Sequence, residues 1–266
     1  MVLGTVGRSL AIFRVDEVVV YLDRPKETQD RDADLLLTVL KYMETPQYLR
    51  KYLFDRIPQL RYAGILPPLR TLHHPLTRKW EELKHDEFRD GVVIASHPGQ
   101  SLVELGVEQP IRLNEHGLSI GQRITLRVSR TRQGVGIERV SAPPSKIYWG
   151  YRVNDTKPTL SRMLRDRPFD LVVATSRRGK PLTDTLVKFR NDWRNAGRIL
   201  IAVGSPREGL NEILAREGVA LEDMADVILN TIPFQGTETV RTEEALYATL
   251  AVVNAVVRGR GGYGTA

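Results

Sequence analysis

Three polar segments of the sequence each follow an apolar run that predicts a buried strand. Residues 174–179 read Ala-Thr-Ser-Arg-Arg-Gly, residues 203–210 read Val-Gly-Ser-Pro-Arg-Glu-Gly-Leu, and residues 229–245 form a long polar stretch. Parallel sheets bind their ligands outside the carboxyl ends of their strands. The three segments are therefore candidate binding loops.

The first segment carries two adjacent guanidinium groups, Arg177 and Arg178, beside the hydroxyls of Thr175 and Ser176. A guanidinium presents a planar fork of donors that matches phosphate. The segment by itself fits an ordinary solvated turn equally well.

The second segment predicts a helix over residues 206–215, with Ser205 and Glu208 as a capping box and Pro206 at the first helical position. Gly204 is left without such a reason, and a glycine there would let a ligand approach the backbone. The start of the helix would also favour a ligand carboxylate.

In the third segment Thr242 is a candidate cap for a final helix over residues 242–257. This leaves the polar side chains and glycine of the preceding stretch without a structural reason. They are Asn230, Gln235, Gly236, Thr237 and Glu238.

Strands and helices must alternate to place these loops, which predicts a mostly parallel α/β sheet. Strands are expected at 18–22, 169–174, 198–203 and 226–229, and helices at 6–13, 34–43, 158–164 and 183–193; Thr45 and Pro46 predict another helix start. Between these halves, short glycine-punctuated strands at 88–95, 101–105, 110–113, 122–129 and 135–141 predict a small OB-type barrel.

Composition narrows the function. The 266 residues carry a net charge of +7, which favours a nucleic-acid partner, and they include no cysteine, which excludes disulfides and thiolate metal sites. Neither a membrane-spanning run nor a signal peptide is recognised, so we expect no membrane partner and a cytoplasmic location. His73 and His74 should point to opposite sides of an extended chain, and no metal site is predicted.

The third segment, Asn230-Thr231-Ile232-Pro233 with Gln235-Gly236-Thr237-Glu238-Thr239-Val240-Arg241-Thr242-Glu243-Glu244-Ala245, resembles the signature of a family of archaeal and eukaryotic RNA methyltransferases in the SPOUT superfamily. The stretches 45–51, 62–69, 148–153 and 203–206 are similar to the same family. The resemblance implies a SPOUT α/β domain over 1–72 and 147–266 with a C-terminal trefoil knot, an OB-like barrel inserted over 73–146, and a homodimer.

The resemblance also implies S-adenosyl-L-methionine as cofactor and methyl transfer to rRNA or tRNA. Arg178 and Arg241 would position the RNA, and Glu238 would act as base. Cofactor contacts would come from Thr175, Val203, Gly204, Ser205, Leu229, Asn230, Thr231, Ile232, Gln235, Gly236 and Thr237. This sequence departs from the family in beginning within or just before the first helix, where a strand usually precedes it, and in having Arg177 where an acidic residue is common.

RNA is expected to meet basic side chains of the barrel, which could equally be solvated strand faces: Arg112, Arg123, Arg127, Arg130, Arg132 and Arg139. One alternative function is a non-catalytic RNA-binding ribosome-assembly factor with a degenerate SPOUT domain. A second alternative, a dehydrogenase-like enzyme, lacks its glycine-rich fingerprint.

Overall fold

The computed structural model describes residues 2–24, 29–131, 134–144, 147–166 and 168–257. Arg132, one of the expected RNA contacts, lies outside these residues. The chain forms two compact units. The barrel unit comprises Arg14–Glu17 and Thr38–Val153, and the α/β unit comprises Val2–Phe13, Val18–Leu37 and the chain from Asn154 onward.

The helices and strands are numbered here in chain order. They are α1 (Val2–Ile12), β1 (Glu17–Val19), α2 (Asp30–Glu44), α3 (Arg50–Leu53), β2 (Phe88–His97), β3 (Gln100–Glu104), β4 (Ile111–Leu113), β5 (Arg123–Thr131), β6 (Gly134–Val140), β7 (Arg152–Asn154), α4 (Leu160–Asp166), β8 (Leu171–Pro181), α5 (Leu182–Asn195), β9 (Ile199–Ala202), α6 (Leu210–Arg216), β10 (Val227–Asn230) and α7 (Thr242–Val257). Within the described residues, no helix is both long and apolar enough to cross a bilayer.

The α/β unit is built on a parallel sheet with strand order β10-β8-β9. Apolar side chains of its strands are buried on both faces, because helices cover each side. On one face Val173 and Leu229 pack with Phe189 of α5 and Val253 of α7. On the other face Ala174 and Ala202 pack with α4 and α6. The predicted parallel α/β arrangement is confirmed here.

The barrel unit contains a five-stranded antiparallel sheet with order β4-β3-β2-β5-β6. Its buried core includes Val103, Leu126 and Val128, and the five strands lie where the sequence predicted them. The sheet curls into a nearly closed barrel. A cleft of about 960 Å³ lies along its edge strands β4 and β6, lined by residues such as Ile111 and Ile137.

Several helix starts differ from the sequence-based expectation. α1 and α2 begin four residues before the predicted positions 6 and 34, at Val2 and Asp30. Thr45 does not begin a helix: its hydroxyl donates to the carbonyl of Lys41 at the end of α2, and α3 begins at Arg50. α6 begins at Leu210 rather than 206, because the intervening residues form a turn closed by the Ser205 N–H on the Glu208 carbonyl at 3.0 Å. The helices predicted at 183–193 and 242–257 are confirmed as α5 and α7.

Candidate functional site

The first candidate segment is part of strand β8 and not a loop. β10 pairs with Val173 and Ala174 of β8, then shifts so that its last two residues pair with Lys180 and Pro181. Residues 175–179 are thus bypassed by β10 although they remain extended. Gly179 permits this arrangement, because a Cβ there would lie 2.6 Å from the carbonyl carbon of Leu229.

The third segment is held against this bypassed stretch. The Asn230 amide donates to the carbonyl of Arg177 at 3.0 Å, and its side-chain oxygen accepts the N–H of Ile232 at 3.0 Å. Arg177 in turn donates to the Glu238 carbonyl at 3.0 Å, and Gln235 donates to the same carbonyl at 3.2 Å. Arg177, Asn230 and Gln235 therefore shape the loop backbone.

The second segment is joined to the same place. Thr175 donates to the carbonyl of Ala202 at 3.0 Å, and Thr242 donates to the carbonyl of Gly204 at 3.2 Å. The hydroxyl of Thr242 therefore bonds Gly204 and does not cap α7 as predicted. At the start of α7 the Glu244 carboxylate accepts the N–H of Arg241 at 3.0 Å. All three candidate segments therefore meet at one edge of the sheet.

The structure itself explains why residue 204 is a glycine, without any ligand. A Cβ there would lie 2.9 Å from the Glu208 carbonyl oxygen, so the turn itself requires glycine. The expected capping box is wrong: Ser205 accepts the N–H of Glu208 at 3.2 Å, but the Glu208 carboxylate binds Arg24 and Arg216 instead. These arginines lower the pKa of Glu208.

The charged side chains expected to meet RNA remain available at this edge. Arg178, Glu238 and Arg241 are exposed, and no ion pair engages their charged groups within the described ranges. The main-chain N–H groups of Thr231 and Gly236 also find no acceptor among the residues the structure describes. A Cβ on Gly236 would meet open space. The edge thus offers free donors, two cations and one carboxylate to a ligand.

Sequence reasoning missed the contribution of the chain that follows β1. Tyr21 donates its hydroxyl to the Val203 carbonyl at 2.8 Å. Burial of Asp23 opposes ionisation, but hydrogen bonds from Ser205 and Gln29 outweigh it and lower the pKa of the carboxyl. Arg24 binds Glu208 at 3.1 Å. The sequence did contain a signal for this segment. Its polar residues directly follow an apolar run, as in the other three candidate segments.

Phe234 was also missed. Its ring is fully exposed, and its backbone adopts the left-handed region with φ 59°. That conformation costs free energy for a residue with a Cβ and is common at functional sites. An aromatic residue within an otherwise polar loop was the signal in the sequence.

In the barrel unit, three of the five expected RNA contacts that the structure describes form ion pairs with carboxylates. Arg123 binds both Glu44 and the buried Asp90, Arg127 binds Asp86 and Glu138, and Arg139 binds Glu115. The sequence suggested that these arginines bind RNA phosphates, but the positive charge of each is already balanced by a carboxylate of the protein. Arg112 and Arg130 are exposed.

His73 and His74 do not point to opposite sides, contrary to the expectation. The N–H of His74 bonds the Thr71 carbonyl at 2.9 Å, so the chain bends here and is not extended. Both rings reach the carbonyl oxygen of Glu44, at 2.8 and 2.6 Å. Across the described ranges, no cluster of three or more His, Asp or Glu side chains is placed to hold a metal ion.

The amino-acid sequence is similar to those of known proteins over nearly the whole length of the chain. The family model described as "Putative RNA methyltransferase" matches residues 1–253. An uncharacterized protein of Halobacterium salinarum is 36% identical over 93% of this chain and 89% of its own length. The 28S rRNA (uridine-N(3))-methyltransferases of Homo sapiens and Mus musculus are 30% and 32% identical over 94% of this chain, and over 71% and 69% of their own lengths.

The chain belongs to this family of RNA methyltransferases. It is accordingly an enzyme that transfers a methyl group from a donor to RNA.

Proposed function

We propose that the enzyme uses S-adenosyl-L-methionine and methylates N3 of a uridine in large-subunit ribosomal RNA. The observation that supports this site is the joining of three strand-end segments by the bonds of Asn230, Thr175 and Thr242 to neighbouring carbonyls. The proposed target is the one for which the human and mouse relatives are named.

The residues present fit the cofactor. Its methionine and ribose ends need hydrogen-bond partners, which the free N–H groups of Thr231 and Gly236 can supply, and the open space at Gly236 leaves the backbone approachable. Val203, Gly204, Ser205, Leu229, Ile232 and Thr237 complete the proposed contacts. Thr175, Asn230 and Gln235 act chiefly by holding these main-chain groups in place.

S-adenosyl-L-methionine, when bound, supplies an electrophilic methyl group, and the protein must align the acceptor with it. Uridine N3 carries a proton that must leave as the new N–C bond forms. Glu238 is the proposed acceptor of that proton, since its carboxylate is exposed and not engaged in an ion pair within the described residues. Arg178 and Arg241 would hold the flanking phosphates by paired N–H donors.

We further propose that the α/β unit is a SPOUT domain with a C-terminal trefoil knot and that the enzyme is a homodimer. The jump of β10 past residues 175–179 and the mostly apolar α7 support this reading. The proposed division into 1–72 with 147–266 and an inserted 73–146 differs from the two compact units, because residues 38–72 and 147–153 cluster with the barrel. A monomer in light scattering at micromolar concentration would rule out the dimer.

Calorimetric titration with S-adenosyl-L-methionine and S-adenosylhomocysteine tests the cofactor. Gly236→Val should abolish binding, because its side chain would fill the space that the cofactor needs. Gly64→Val is the matched control, since its Cβ also meets open space and it lies in the barrel unit. Equal affinity of the wild type and Gly236→Val would remove Gly236 from the site, and no binding by the folded wild type would refute the cofactor.

Measurements of RNA methylation by single variants distinguish the proposed roles of Arg178, Arg241 and Glu238. Arg178→Gln and Arg241→Gln should each lower kcat/KM for RNA methylation about tenfold while cofactor affinity is unchanged, because a charge-assisted phosphate contact is lost. Arg207→Gln, another exposed arginine of the same unit, should not. A normal rate in Glu238→Gln would show that Glu238 is not the base.

A further inference from the structure

One surface segment of the barrel unit combines positive charge with exposed apolar side chains. Residues 51–80 contain a single carboxylate, Asp55, against six exposed basic side chains. These are Lys51, Arg56, Arg61, Arg70, Arg78 and Lys79. Within the described residues none of the six forms an ion pair, in contrast to Arg123, Arg127 and Arg139.

The same segment concentrates exposed apolar surface. Of the twelve large apolar side chains exposed in the described part of the chain, five lie between residues 52 and 76. They are Tyr52, Tyr62, Ile65, Leu72 and Leu76, exposed by 40, 68, 62, 69 and 83%. Single exposed apolar side chains are ordinary, but five within 25 consecutive residues, interspersed with basic side chains, make this segment a candidate interaction surface.

The aromatic rings are paired with cations. The Arg61 guanidinium lies 5.4 Å from the centre of the Tyr62 ring, and the Lys51 ammonium lies 4.6 Å from that of Tyr52. The Tyr52 hydroxyl also donates to Glu104 of strand β3 at 3.2 Å, which fixes that ring. Each pair presents a π face beside a positive charge, the combination with which proteins hold unpaired nucleotides.

The backbone beneath Tyr62 is ordered. The Arg61 N–H bonds the Pro58 carbonyl at 3.1 Å, and the Ile65 N–H bonds the Tyr62 carbonyl at 3.2 Å. Side chains three residues apart in such tight turns lie on one side, so Tyr62 and Ile65 are neighbours. Arg70, which follows the buried Leu69, adopts a left-handed φ of 54°. An ordered and partly strained backbone that displays apolar groups costs stability, which a binding role explains.

We propose that residues 51–79, centred on Arg61, Tyr62 and Ile65, form a binding surface for an unpaired RNA segment. Bases stack on Tyr62 and Tyr52, and phosphates lie against the basic side chains. The enzyme's action on RNA supports this occupant, as does the charge of the segment. The surface includes no residue of the loop edge of the α/β unit, and the proposal does not depend on which methyl donor is used.

Fluorescence anisotropy with a labelled single-stranded oligouridine of about 12 nucleotides, without any methyl donor, tests the proposal. Tyr62→Ala should weaken binding about tenfold, and Tyr62→Phe should retain it, because stacking needs the ring and not the hydroxyl. Arg61→Gln and Arg70→Gln should each reduce the slope of log affinity against log salt by about 0.7. The same strand in a duplex with oligoadenosine should bind Tyr62→Ala and wild type equally.

Two controls make the result specific. Ile120→Ala removes another exposed apolar side chain of the barrel unit, and Arg127→Gln removes an ion-paired arginine of it; both should bind as the wild type does. Unchanged affinity in Tyr62→Ala, or equal losses in the controls, would overturn the proposal. So would a change of oligomeric state in Tyr62→Ala with unchanged RNA affinity, since the surface would then be a protein interface.

Discussion

Arginines of the barrel unit and of the α/β unit differ in whether a carboxylate of the protein binds them. In the barrel unit Arg123 lies between Glu44 and Asp90, the latter only 2% exposed, and a bidentate contact joins it to Glu44. In the α/β unit Arg178 and Arg241 are exposed, and no carboxylate within the described residues binds them. Both kinds look alike in the sequence. Their difference separates charges that stabilise the fold from charges that are free for a substrate.

Several hydrogen bonds converge on the carboxylate of Asp90 in the cluster around Arg123. Asp90 accepts from Thr125 at 2.9 Å and from Trp149 at 3.0 Å in addition to Arg123. Gly150, with φ +85°, closes over it: a Cβ there would lie 2.5 Å from the His73 ring. Such a network fixes the C-terminal end of α2, which belongs to the barrel unit, against β2 and β5.

The largest effect is expected from breaking this cluster. Glu44→Gln should lower the free energy of unfolding by about 3–5 kcal/mol, because it leaves a largely buried Arg123 with one anion fewer. Arg127→Ala breaks a pair whose partners Asp86 and Glu138 are more than half exposed, and should cost under about 1 kcal/mol. Urea denaturation measures both. Similar losses in the two variants would contradict the distinction drawn above.

Acid should weaken the same cluster in two steps. Burial, with the neighbouring His73, lowers the pKa of His74 from 6.5 to about 4. Burial opposes ionisation of Glu44, but bonds from His73 and Arg123 outweigh it and lower that pKa from 4.5 to about 2. In each case the unfolded chain binds more protons between the two values, so stability falls as pH falls through that window.

We therefore expect a loss of up to about 3 kcal/mol between pH 6.5 and 4, and a further loss below pH 4.5. Unfolding free energies measured across this range check the prediction. In His74→Gln the upper step should disappear while the lower step persists. A flat profile between pH 6.5 and 4 in the wild type would contradict the lowered pKa of His74.

The smallest effect on stability is expected in the α/β unit, at the exposed residue Phe234. Phe234→Gly should raise the unfolding free energy by about 0.5–1 kcal/mol, because glycine relieves the left-handed backbone by more than it adds chain entropy. Phe234→Ala keeps the Cβ and should leave stability unchanged. The shift of the urea midpoint measures it. A destabilised Phe234→Gly would mean that the exposed ring makes a stabilising contact.

The strand pattern of both units could be predicted because each strand has a regular burial pattern. Parallel strands read as continuous apolar runs, and the barrel strands read as short segments between glycines. The same pattern led to the candidate site, which the structure places after β9 and β10 and beside the bypassed residues 175–179 within β8; its role in catalysis stays a prediction. The charge partners of the arginines could not be predicted, because Glu44 and Arg123 are far apart in sequence and pairing depends on tertiary geometry.

Local rules failed where tertiary bonds compete for the same atoms. Ser205 and Glu208 have capping-box spacing, but Arg24 and Arg216 bind the Glu208 carboxylate. Thr242 has the type and position of a cap, but the Gly204 carbonyl takes its hydroxyl. The bond of Arg177 to the Glu238 carbonyl could not be predicted either, because it depends on how residues 230–238 fold back on β8.

The way β10 joins β8 also governs when the site can appear during protein synthesis. The last residues of β8 have no partner in the sheet until β10 has been made, and Gly204 receives its bond only from α7. Contacts between segments far apart in sequence form slowly and late. We therefore expect methyl transfer only after α7 has been synthesised, because until then the candidate site lacks the segment that links Gly204 to the rest of the loop edge.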